Sequence, residues 1–221
     1  VLCIATDEQI KEDITNQLYW DPRVDSSNVK VEVDSGEVRL DGNVTSYQSK
    51  RAAFYDSYQV AGVRSVVNAL QVKPLGEARE DAELAEGIRK SLMWDSNVDS
   101  TDVQVDVNAG IATLKGSVDA YWRKDQAERI AENVSGILAV NNELSIVPTE
   151  NPSDEALAKS ITDALKRNRY VNCEDVNVKV TDGNVVLSGT VNSWMVKNEA
   201  LDAAMYTIGV KNVDATSLVI T

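Results

Sequence analysis

Histidine is absent from all 221 residues, which removes the commonest general base and the commonest transition-metal ligand. Cysteine is reduced to Cys3 and Cys173, a pair that supports neither a zinc site, nor a Cys–His nucleophile, nor a disulfide framework. No Gly-x-Ser-x-Gly elbow, glycine-rich phosphate loop or dinucleotide fingerprint occurs. A hydrolase built on serine with lysine, or on paired carboxylates, is the chemistry left open; the inventory otherwise points to a protein that is not an enzyme and needs no cofactor. The acidic runs Asp95-Ser96-Asn97-Val98-Asp99 and Asp21 with Asp25 lack the alternating ligands, central glycine and closing glutamate of a calcium loop. They read as solvated Asx turns, and no metal site is expected.

Positive charge is scarce as well. Against 35 Asp and Glu stand 22 Lys and Arg, a net charge of −13. The averaged field therefore repels nucleic acid and anionic surfaces. The deficit is concentrated in the middle of the chain, where residues 75–150 carry 7 basic and 15 acidic side chains. No apolar run approaches the roughly 20 residues that span a bilayer. The opening Val1-Leu2-Cys3-Ile4-Ala5-Thr6 is short and apolar; it reads as an ordinary start, with the tail of an export signal or a lipid-attachment cysteine as the alternative.

What the chain does have is repetition. Asp7 to Val72 aligns on Asp81 to Ile146, and that stretch aligns on Asp154 to Ile220 after one extra residue near the end. A period of about 73 residues makes small domains rather than a solenoid. The division is an N-terminal segment 1–6 and domains at 7–74, 77–148 and 153–221. Each unit is small enough to be marginal alone, burying about 60% of its unfolded surface, so docking between copies is expected.

Each copy opens with apolar residues four apart, a helix face: Ile10, Ile14 and Leu18 in the first, with Leu84, Ile88, Leu92 and Leu157, Ile161, Leu165 as counterparts. Strict alternation follows, Val29-Val31-Val33 and its equivalents, then a turn glycine and a second alternating strand. Gly42, Gly116 and Gly189 recur in that strand, where a missing side chain marks a bulge or a close approach, here assigned to the second helix. Thr45, Asp119 and Asn192 are placed as N-caps of that helix. Gly62, Gly136 and Gly209 end it, and Val66–Val72, Val140–Ile146 and Val213–Ile220 read as a third strand. The fold class is α+β: three tandem αββαβ domains, each a three-stranded mixed sheet with two helices on one face.

The run carried by Val29, Val31, Gly36, Val38, Leu40 and Gly42, continued by Val44, Gly62, Val63, Val66, Asn68 and Leu70, resembles the BON (bacterial OsmY and nodulation) domain. Order, spacing and triplication make the resemblance fairly specific. It implies a non-catalytic, phospholipid- or protein-binding module of the periplasm or cell envelope, active in osmotic stress, with a cytoplasmic location as the alternative. In the third copy an extra residue around Val213-Asp214-Ala215-Thr216 removes the asparagine found at Asn68 and Asn142 and leaves the register of the last strand open.

Two constellations are candidate binding surfaces. Tyr47, Tyr121 and Trp194 lie near the start of the second helix, extended by Trp122 and Met195; their recurrence favours packing, although amphipathic rings at a helix end also suit an interface. At the end of the first helix, Trp20 and Trp94 become Arg167, and Asp21 and Asp95 become Asn168. There Lys166, Arg167, Arg169 and Tyr170 form a basic, aromatic cluster suited to anionic phospholipid head groups at about 1 kcal/mol per cation. The plainer reading is that cations complement the helix dipole, worth about 0.3–1 kcal/mol. Partner proteins of the envelope are the alternative ligands, through exposed Trp20, Trp94 and Trp122 with Tyr121 and Trp194, or through a sheet edge, as for a chaperone or adaptor. Nucleic acid is not expected.

Overall fold

The computed structural model describes residues 5–76 and 79–221. Val1 to Ile4, with Cys3 among them, and Glu77, the expected first residue of the second domain, lie outside the described residues. The first copy runs α1 (Asp7–Trp20), β1 (Val29–Asp34), β2 (Glu37–Val44), α2 (Tyr47–Tyr58), β3 (Ser65–Asn68) and β4 (Gln71–Val72). The second repeats the order as α3 (Asp81–Trp94), β5 (Val103–Asn108), β6 (Ile111–Val118), α4 (Tyr121–Glu132), β7 (Ala139–Asn142) and β8 (Ser145–Ile146). The third is α5 (Asp154–Arg167), β9 (Val176–Thr181), β10 (Asn184–Val191), α6 (Trp194–Met205) and β11 (Asn212–Ile220). Among the described residues, six α-helices and three mixed sheets thus form three tandem α+β repeats.

The packing follows the sequence pattern. Ile10, Ile14 and Leu18 of α1 are buried in one cluster with Val31, Val38 and Leu40 of the hairpin and with Ala52 and Ala53 of α2. Both helices therefore cover the same sheet face, and each fully buried Ile or Leu contributes about 1.5–3 kcal/mol. The third copy repeats the arrangement with Leu157, Ile161 and Leu165 against Val185 and Leu187, while Ala200 and Ala204 let α6 approach closely. Leu84, Ile88, Leu92 and Leu114 are likewise buried. β2 is central, antiparallel to β1 and parallel to β3 and β4.

By packing the chain divides into two compact units, one of residues 1–90, 106–113 and 130–141, the other of 91–105, 114–129 and 142–221. Within the first, Arg51 of α2 donates to the buried Glu132 at 2.6 Å. Within the second, Trp122 stacks on Tyr206 with centroids 6.1 Å apart.

The hairpin turns are two-residue turns with positive φ at both positions: 54° and 78° at Ser35-Gly36, 50° and 75° at Ala109-Gly110, 51° and 77° at Asp182-Gly183. That is the type I′ geometry whose twist matches the strands it joins. Each turn is held by the first residue of its helix. Asp7 accepts from the amides of Ser35 and Gly36 at 2.8 and 3.0 Å. Asp81 and Asp154 do the same for the second and third turns.

Three expectations are corrected. The close approach at Gly42, Gly116 and Gly189 comes from the chain entering the first strand, not from the second helix. A Cβ on these residues would lie 2.0 Å from the Asn28 carbonyl oxygen, 1.8 Å from that of Asp102 and 2.1 Å from that of Asp175. The second helix is capped one residue later than read: Ser46 and Ser193 accept from the amides of Ser49 and Val196. Thr45 and Asn192 precede these caps, and Asp119 instead pairs with Arg123 at 3.1 Å. Finally, the third strand of the first two copies is broken in two. Asn68 causes the break by donating to the Lys50 carbonyl at 2.8 Å and accepting from Leu70 N at 3.2 Å; Asn142 does likewise through Lys124 and Leu144. In the third copy the strand is continuous, and its extra residue is absorbed as a bulge opposite Val186–Ser188.

Candidate functional site

The end of the first helix is where the copies differ most in chemistry. In the third copy α5 closes with Lys166 and Arg167, and Asn168 leaves the helix in an extended conformation. The Asn168 side chain accepts from Tyr170 N at 2.9 Å and donates to Glu199 of α6 at 2.6 Å, so the loop is held against the second helix. Lys166, Arg167, Arg169 and Tyr170 are all exposed, and the Arg169 guanidinium lies 5.3 Å from the centroid of the Tyr170 ring. The structure therefore brings the four basic and aromatic residues together on one helix end. The adjoining groove is mixed rather than cationic, with Glu199 and Asp202 beside Arg167 and Tyr206. Burial, then the charge of Glu199, raises the Asp202 carboxyl above its usual range, against the pull of Arg129.

The same groove exists in the first copy, lined at the matching positions by Gln17, Trp20, Asp21, Asp56 and Gln59, with Arg23 beside them. Trp20 is 79% exposed and packs edge-on against Tyr19 at 5.2 Å. Arg23 binds Asp21 through both carboxylate oxygens, at 3.0 and 2.9 Å from Nε. This hydrogen bonding holds Asp21 well below the usual carboxylate range. Asp56 is only 3% exposed, and its nearest cation is the same Arg23, at 3.7 Å. In the second copy Trp94 is 82% exposed, and Asp95 is tied to the Asn97 amide and to Gln126 of α4. The link between helix end and second helix is thus kept with its polarity reversed: Asp95 accepts from Gln126, whereas Asn168 donates to Glu199.

The other expected contact residues do not gather with these. Trp122 is half-buried, lying on Tyr206 with the Arg123 guanidinium 5.1 Å from its ring, so the expectation that it is exposed is corrected. Tyr121 is half-buried against the core of the third copy, and Trp194 is half-buried at the start of α6. Asp56 and the turn-holding Asp7, Asp81 and Asp154 went unread in the sequence. The recurrence of aspartate at the first helical position was the signal for the latter; Asp56 has Ile130 and Ala203 as counterparts, and that departure was its signal. Among the described residues no cluster of acidic or cysteine side chains is arranged to hold a metal ion. No described helix is long and apolar enough to cross a membrane.

Comparison with known proteins places these features in context. A family model described as the BON domain matches residues 6–74, 80–148 and 153–220. The chain is 29% identical to the osmotically-inducible protein Y of Escherichia coli strain K12, over 63% of this chain and 72% of that protein. Among solved structures, the C-terminal domain of CdsD, a structural protein of the type III secretion system of Chlamydia trachomatis, aligns at 15% identity over 98% of this chain and all of that one, with a TM-score of 0.27. A second structure of CdsD aligns at 15% identity and a TM-score of 0.26, over 94% and 90% of the two chains.

Proposed function

Since this chain belongs to the BON domain family, matched in all three of its repeats, we propose that it is a non-enzymatic binding module of the cell envelope that engages anionic phospholipid and contributes to protection under osmotic stress. The stress assignment is supported by the likeness to the osmotically-inducible protein Y, and the periplasm is the compartment that suits such a role. The observation that carries the lipid reading is the exposed end of α5, where Lys166, Arg167 and Arg169 stand beside Tyr170. Three cations at about 1 kcal/mol each near an anionic surface are enough for weak, reversible attachment, with a tyrosine ring suited to the interface. The test is co-sedimentation with vesicles at low salt. Binding to anionic vesicles should exceed binding to neutral ones, and replacing Lys166, Arg167 and Arg169 by glutamate should remove the difference. Equal sedimentation with both vesicle types rejects the reading.

A second reading, a chaperone or adaptor for envelope proteins, is supported by the solvent-facing pairs Tyr19-Trp20 and Met93-Trp94, each residue of which is at least 66% exposed. Large apolar side chains held in water at matching sites are suited to partner contact. Trp20→Ala with Trp94→Ala should then reduce suppression of client aggregation by the protein, and unchanged suppression counts against this role.

A further inference from the structure

The first copy buries a carboxylate that its surroundings leave half-satisfied. Asp56 Oδ2 has no hydrogen-bond partner among the fixed donors around it, and Oδ1 faces only a guanidinium already committed to Asp21. Two carboxylates thus share one cation in the groove that Trp20 also lines. A buried, unpaired carboxylate is costly, and the cost is relieved when the group keeps its proton. The other copies carry Ile130 and Ala203 at this position and have no such pair.

We propose that Asp56 is a proton-operated latch: protonated, it donates to Asp21 and fastens the end of α1 to α2, and on losing the proton it repels Asp21 and loosens the turn that follows Trp20, while the Arg23 carbonyl, which accepts from Ser49 Oγ at 2.6 Å, stays tied to α2. Burial first, then the hydrogen bond to Asp21 and its charge, push Asp56 up to about 6 against the opposing pull of Arg23. The remaining charged groups near it are otherwise engaged or solvated. On α2, Lys50 lies over the Tyr47 ring and Arg51 is paired with Glu132. Tyr58 accepts from Val66 N through its hydroxyl. Arg39 and Asp41 of β2 pair with each other, β3 and β4 carry no ionisable side chain, and Glu12 and Asp13 of α1 are exposed. Asp21 and Arg23 are therefore the two groups that set the behaviour of Asp56.

The sign is determinate. The folded chain holds the Asp56 proton more tightly than the unfolded one, so this contribution is complete well below pH 4 and is lost as pH rises through about 6. A difference of about two pH units corresponds to about a hundredfold in the folding equilibrium. Carboxyl-carbon NMR should find one aspartate with a midpoint near pH 6 that vanishes in Asp56→Asn, and the backbone amides of Trp20 to Arg23 should shift with the same midpoint. In urea unfolding the wild type should lose about a hundredfold in the folding equilibrium, relative to Asp56→Asn, as pH rises from about 3 to about 8. The proposal is overturned if every aspartate titrates below pH 5, or if residues 20–23 stay still while Asp56 titrates. Both readings use the wild-type protein, so they decide the matter even if the variant does not fold.

Discussion

The carboxylate of Asp154 sits at the first position of α5 and accepts two amide hydrogens from the turn at Asp182-Gly183, on a strand pair 28 residues further on. One short side chain thereby joins helix to hairpin, and its negative charge at a helix start is favourable in addition. Asp7 and Asp81 make the same pair of bonds, so this contact belongs to the fold and not to any specialised role. Asp154→Ala should cost about 1–3 kcal/mol, because it leaves the half-buried Gly183 amide without its partner. The check is a urea titration, in which the midpoint falls while the slope stays constant. A loss below about 0.5 kcal/mol, the range of ordinary surface substitutions, would mean that water replaces the carboxylate without penalty. Asp56 belongs to the same scale with the opposite logic, since its Oδ2 is buried without a donor and the residue is present in one copy alone.

At the scale of elements, the third strand shows how one residue changes a sheet. Asn68 and Asn142 turn their side chains back onto the second helix and interrupt the strand, leaving a four-residue piece and a two-residue piece. Without that asparagine the third copy runs nine residues unbroken, and a bulge takes up the insertion. There Asp214 accepts from the Thr216 amide and hydroxyl at 2.9 and 2.7 Å, which matches the bond that asparagine accepts from the amide two residues on but not its donation to the second helix. Asn142→Ala removes bonds to the Lys124 carbonyl, to Glu128 and from the Leu144 amide. The expected cost is about 1–3 kcal/mol, and hydrogen exchange should show the Leu144 amide losing protection. Retained protection there would place the strand break in the backbone rather than in the asparagine. The helix starts teach a related lesson: Thr45 and Ser46 are both good caps by composition, and the position whose oxygen reaches the free amide is the one used.

For the whole molecule, charge distribution matters more than the total. A net charge of −13 opposes approach to an anionic surface, yet the third copy carries 7 of the 22 cations and gathers three of them on one helix end. Attraction at that end acts within about a Debye length, roughly 8–10 Å at physiological salt. On the proposed lipid reading, vesicle binding through Lys166, Arg167 and Arg169 should weaken steeply as salt is raised, and binding indifferent to salt would point to an apolar contact instead. Much of this was legible beforehand. Triplication, the helix, hairpin and second-helix order and the buried helix faces follow from spacing along the chain, and the basic residues at the end of α5 stand out because Arg167 takes the place of Trp20 and Trp94. The covering of Trp122 was not legible, because it depends on Tyr206, a residue 84 positions away in another repeat.

Periods of 3.6 and 2, repeated three times, were enough by themselves to determine the helices, the hairpins and the membership of each core. Those signals are local, and burying one face of each element has few solutions. Tertiary structure alone decided which atom crowds Gly42, which cap is used, that Asp7 holds the turn and that Asp56 must share Arg23 with Asp21. Each of these is a through-space meeting of groups that are separated along the chain or compete with an equivalent neighbour, and only the packed geometry ranks the competitors.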